Sequence, residues 1–174
     1  MLGLKRNDVR LVPYDPQWSQ MADERIKELS AVTDIPENRI AHIGSTAIAD
    51  MPAKPIIDLA IGVDQLDADH NDLFCRLKQC GFLRLRVQKQ EEIVFAAFTD
   101  DSYETKTHIL HLMTYNGELW NNLLFFRNYM NTHSAEHSAY AALKKRAAAA
   151  HPTSIPAYTE EKTAFVHRIY QLRT

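Results

Sequence analysis

With 174 residues, 45% of them hydrophobic and 24% charged, the chain has the size and composition of one soluble globular domain, residues 1–174, with a substantial core. A net charge of −2 gives no general field for attracting nucleic acid or an anionic membrane, so neither is an expected partner. No stretch approaches the roughly 18–20 apolar residues of a membrane span, and the segment that begins Met1-Leu2-Gly3-Leu4 lacks a signal-peptide core, so a cytoplasmic protein is expected.

In chain order, Val9 to Val12 is a short strand candidate, and Asp15-Pro16 reads as a helix cap with proline in the first turn. Trp18, Met21, Ala22, Ile26 and Leu29 give that helix one apolar stripe until Pro36 breaks it. Arg39 to Ile43 is a strand that enters the polar turn Gly44-Ser45-Thr46, and residues 55–63 form the next strand. Asp64 to Cys80 reads as a helix with Gly81 as its stop. Cys75 and Cys80 would diverge by about 140° around its axis, too far to bridge, so both thiols are expected buried and reduced.

Leu83, Leu85 and Val87 alternate with Arg84, Arg86 and Gln88 in a strand of period two, its arginines on a solvated face. Ile93 to Thr99 is apolar on both faces, as in a central strand, and Thr105 to Tyr115 makes the last strand. Three helices follow: Glu118 to Asn131, Ser134 to Ala150, and one capped by Thr159 with Glu160 and Glu161 in its first turn. Strands first and helices last predict an α+β fold, with a mixed or antiparallel sheet in residues 1–116 and a helical portion in 117–174.

The informative stretch is His42 to Val63. From Pro55 onward Ile57, Leu59, Ile61 and Val63 share one face of an extended chain, while Ile56, Asp58, Ala60 and Gly62 share the other. A single carboxylate thus stands among side chains too small to fill space, which marks a place for a ligand. The backbone N–H groups and hydroxyls of Gly44, Ser45 and Thr46 can hold a phosphate-like group, and Lys54 adds a positive charge nearby. A Gly-Ser turn followed about a dozen residues later by an acid in a hydrophobic strand resembles the signature of nucleotidyltransferase-fold proteins. That signature has a second acid two residues on, where this chain has Ala60.

A closer resemblance spans nearly the whole chain. Pro13-Tyr14-Asp15-Pro16 with Trp18, His42 to Thr46, Ala53 to Asp58, Phe125 to Tyr129, Tyr140 with Lys144, and Tyr158 with Lys162 are similar to the GrpB family. The resemblance implies a nucleotidyltransferase-type fold, in a family whose domain also occurs fused to dephospho-CoA kinase and whose activity is unestablished. Where the family tends to have Pro-Gly after the turn, this chain has Ala49-Asp50. Where it tends to have His-x-His in the late strand, it has His108 and His111, which point to opposite sides, so only His111 matches. Asn128 stands where an acid usually follows Arg127.

The expected site therefore consists of Asp58 and His111 as catalytic and metal-binding residues, with Mg²⁺ or Mn²⁺ as the ion. His42, Gly44, Ser45, Thr46, Lys54 and Arg127 would bind a nucleotide or other phosphorylated small molecule. His42 has a second reading as the side chain that fixes the turn. Glu91, Glu92, Asp100 and Asp101 are the candidates for the further acids of a two-metal site, but they read first as hairpin and loop residues. Two functions fit: a metal-dependent enzyme handling a nucleotide, or a non-catalytic binding module that has lost the second acid.

Overall fold

A computed structural model describes residues 2–87 and 89–173. Its order is β1 (Leu4–Lys5), α1 (Gln17–Thr33), β2 (Ile40–Ile43), β3 (Ile57–Val63), α2 (Asn71–Gln79), β4 (Leu83–Arg84), β5 (Ile93–Phe98), β6 (Thr105–Thr114), α3 (Glu118–Thr132), α4 (Ser134–Ala150) and α5 (Ile155–Tyr170). The six strands form one mixed sheet in the order β2-β3-β6-β5-β4, with β1 pairing the start of β6. The pair β3–β6 is parallel, with Asp58 beside Ile109 and Ala60 beside His111; the other pairs are antiparallel. The architecture is the expected α+β one.

The alternation along β3 sorts the core. Ile57, Leu59 and Ile61 join Leu110 and Leu112 of β6 and Phe95 of β5 on the face covered by Leu29 of α1 and Leu77 of α2. On the opposite face Ile43, Ala60 and Met113 pack under Trp120 of α3. The three C-terminal helices build a third cluster, in which Phe126, Met130, Tyr140 and Ile169 close over Ile48 and Met51. The small face of β3 is thus not open along its length. Trp120 covers Ala60, and Tyr115 lies so close to Gly62 that a Cβ there would meet it at 2.7 Å. Open space remains at the amino-terminal end, around Asp58.

Several boundaries differ from expectation. The segment 9–12 has its backbone committed elsewhere: Val9 N donates to Pro152 O, and Val12 makes an isolated bridge with Ala53. The helix expected from Asp64 begins at Asn71, because the Asp69 carboxylate takes the Asn71 N–H and Gln65 O receives the His70 ring. β4 stops at Arg84, with one further bond from Leu85 N to Val94 O; Gln88 of the expected strand lies outside the described residues. α5 starts at Ile155 rather than after Thr159, because Ser154 caps it and Pro156 occupies its first turn. Cys80 is buried, but Cys75 is exposed, since α2 lays only one stripe on the sheet.

Candidate anion-binding site

Gly44 stands at φ +70°, a left-handed conformation natural to glycine, and a Cβ there would lie 2.5 Å from Asp58 Oδ2. The turn is therefore bent directly against the carboxylate. After it, Ser45–Ala47 form one turn of 3-10 helix. The C-terminal helices clamp the rest of the loop: Ala49 N donates to Asn131 Oδ1, Asn131 Nδ2 to Ala47 O, and the His137 ring bonds Ala49 O. Asp50, where the family tends to have glycine, is an exposed left-handed residue at φ 58°, a conformation that aspartate tolerates.

A cavity of about 210 Å³ opens beside this turn, lined by Gly44, Ser45, Thr46, Lys54, Ile56, Asp58 and Ile109, and by Tyr140, Lys144, Tyr158 and Lys162 from α4 and α5. Three lysines on three segments thus face one carboxylate. Lys144 is 1% exposed, and its Nζ donates to Pro52 O at 2.6 Å. Lys162 Nζ lies 4.0 Å from the centre of the Tyr158 ring and Lys54 Nζ 5.6 Å from the same ring, so one aromatic serves two ammonium groups. Burial drives all three lysine pKa values down, with Asp58 opposing; Lys162 falls to about 8, helped by its neighbour Lys54, and Lys144 falls well below the usual lysine range. Tyr140 and Tyr158 are pushed upward by burial and stay neutral.

Behind Asp58, His111 Nδ1 lies 2.6 Å from Glu92 Oε2 and His111 Nε2 lies 3.8 Å from Asp58 Oδ1. Glu92, 8% exposed, also pairs with Lys89. Burial alone would lower the His111 pKa, but the two flanking carboxylates outweigh it and hold the imidazole at about 9. Burial alone would raise Glu92; its bond to His111 and its pairing with Lys89 hold it at about 2.

The expected site residues therefore divide. Gly44, Ser45, Thr46, Lys54 and Asp58 come together at the cavity, with His111 behind Asp58. His42 and Arg127 do not line it. His42 pairs with Leu59 on the α1 face, and its ring bonds Thr46 Oγ1 at 2.8 Å, the turn-fixing role. Burial is the main cause that lowers its pKa to about 4, so the ring is neutral. Arg127 Nη1 donates to His42 O at 2.8 Å and its Nε to Asn128 Oδ1, tying α3 to β2. His108 lies on the core side near Phe82, opposite to His111 as its parity requires.

The expected site did not include Glu92, which reads first as a hairpin residue, nor Tyr140, Lys144, Tyr158 and Lys162, which enter only as marks of the resemblance. Tyr-x-x-x-Lys occurs on both α4 and α5, and this spacing sets the two side chains one above the other. A larger, shallower hollow of about 680 Å³ lies at the other end of β3 and β6, where Asp64, Asp67, Glu91 and Glu118 face solvent. It has no comparable convergence of buried charge.

The fold is an α+β one of nucleotidyltransferase type. The poly(U) polymerase Cid1, in a structure bound to Mg and 3′-dATP, superposes with a TM-score of 0.52 at 15% identity, over 79% of this chain and 43% of that one. The chain belongs to the GrpB family: a model described as GrpB protein matches residues 8–172. The glutamate-rich protein GrpB of Alkalihalophilus pseudofirmus is 39% identical over 170 residues, 97% of this chain and 98% of the relative. The crystal structure of GrpB from Enterococcus faecalis superposes with a TM-score of 0.77 at 27% identity, over 94% and 96% of the two chains. No helix among the described residues is long and apolar enough to cross a membrane.

Proposed function

We propose that this protein binds a phosphorylated small molecule at the cavity beside Asp58, a nucleotide being the class that its fold suggests, and that it acts in the cytoplasm. One observation carries the reading: three lysines, two of them on different C-terminal helices, converge with a hydroxyl-bearing turn on one enclosed space. Burying three amines, two of them beside other lysines, costs stability, as their lowered pKa values reflect. An anionic ligand offsets that cost, which gives the arrangement a purpose.

A transferring enzyme using Mg²⁺ or Mn²⁺ on Asp58 and His111 is the second reading, favoured by the likeness to Cid1. The residues do not fit a divalent ion. Ala60 is buried under Trp120 where a second carboxylate would stand, and Glu92 is engaged by His111 and Lys89. No group of three or more His, Cys, Asp or Glu among the described residues could hold a metal. We therefore favour a binding module over an enzyme.

Thermal unfolding with ATP, AMP or inorganic phosphate tests this. The reading expects the melting temperature to rise with at least one of them, and the rise to vanish in Lys162→Met. Equal shifts in wild type and variant, or none with any of them, would refute it.

A further inference from the structure

We infer that the lysines take the place of a divalent ion: Lys54, Lys144 and Lys162 hold a single phosphate group directly, and a hydroxyl or amine of the same ligand meets Asp58. This rests on the phosphate-binding reading and goes beyond it by naming the ligand as a phosphate monoester bound without metal.

In a site built for a divalent cation, several carboxylates face the ion and the ion faces the phosphate. Here the balance is inverted, with three amines and one carboxylate lining the space. A lysine is a compact point charge that can grip phosphate oxygen without geometric demands. Lys54 and Lys162 have no hydrogen-bond acceptor or carboxylate partner among the described residues, while Lys144 spends one N–H on Pro52 O. Donor capacity is therefore left over on all three.

The cavity, about 210 Å³, has room for one phosphate and a few attached atoms. The apolar wall of Ile56 and Ile109 suits the attached carbons.

Asp58 supplies the last element. A carboxylate facing a phosphate without a cation between them repels it, unless the ligand brings a hydrogen-bond donor. His111 lies behind Asp58 and Gly44 packs against it, so the carboxylate is fixed where such a donor would find it.

Asp58→Asn separates the possibilities because its effect has opposite signs. The experiment is isothermal titration of the full chain with inorganic phosphate, with EDTA or with Mg²⁺ or Mn²⁺, and with ATP as a second probe; circular dichroism checks each variant's fold. The inference expects phosphate to bind equally in EDTA and in metal. It also expects Asp58→Asn to bind inorganic phosphate about threefold to tenfold more tightly, since one repelling charge is gone, and Lys162→Met to bind it at least tenfold more weakly. Lys54→Met serves if Lys162→Met does not fold. Binding that requires metal, or that is unchanged or weakened in Asp58→Asn, overturns the inference while leaving a phosphate site in place. No binding of phosphate or ATP in either condition overturns both readings together.

Discussion

The two faces of the central sheet differ most at the amino-terminal end of β3. Under α1 and α2, the residues of β3 are Ile57, Leu59 and Ile61, all fully buried, and their neighbours are other hydrocarbons. One residue out of phase, on the other face, Asp58 looks into a cavity where lysines from α4, α5 and the loop crowd together. The first face maximises apolar burial. The second is apolar under Trp120 and gives up stability only around Asp58, where charged groups are kept half-dry, the trade-off expected where a protein recognises something. A single strand separates them, and alternation alone assigns each residue to its side.

Substitutions on the two faces should therefore differ in size and sign. Leu59→Ala removes a fully buried side chain from the hydrocarbon face and should cost about 3–4 kcal/mol in urea unfolding. A cost below about 1 kcal/mol would show that this face is not the main source of stability. Gly44→Ala should come next, at about 2–3 kcal/mol, combining left-handed strain with the clash against Asp58 Oδ2. Adding Asp58→Ala should recover the clash portion but not the strain, and a double-mutant cycle reads the split.

The line Glu92–His111–Asp58 predicts a pH effect. The folded pKa of His111 is raised from 6.5 to about 9, so its contribution is complete below pH 6.5 and fades as pH rises through 9. The loss should be on the order of 2 kcal/mol relative to Glu92→Gln, which removes its main partner. Lys162 runs the other way above pH 8, since its cost is relieved as it loses its proton, so the comparison with Glu92→Gln matters more than the absolute curve. The smallest effect is a gain: Lys162→Met should stabilise the ligand-free protein by about 1 kcal/mol by removing one of three crowded charges. A loss of similar size would mean that the lysine cluster contributes to folding rather than to recognition.

How much of this was legible follows from the range of each interaction. The two faces of β3 and the contact of the Gly44 turn with Asp58 involve residues close in sequence or paired by strand alternation, so the pattern exposes them. His111 came from the family resemblance, with parity along the strand setting it apart from His108. What escaped depended on packing between distant segments. Trp120 and Tyr115 fill most of the face that looked empty beside Ala60 and Gly62, and no local pattern announces that. Glu92 reads as a hairpin residue until β5 and β6 pair and bring it to His111. Tyr158 and Lys162 stand out as a pair in the sequence, but that they face Asp58 depends on where α5 packs. Arg127 and His42 carry the right chemistry for an anion site, but their hydrogen bonds go to the backbone of β2 and to Thr46.

The most direct measurement is a crystal structure of the protein grown with inorganic phosphate and EDTA. The account predicts a tetrahedral anion within hydrogen-bonding distance of Lys54, Lys144 and Lys162 and beside the Gly44-Ser45-Thr46 turn. Water alone in the cavity at saturating phosphate, with the three ammonium groups turned away from one another, would contradict it.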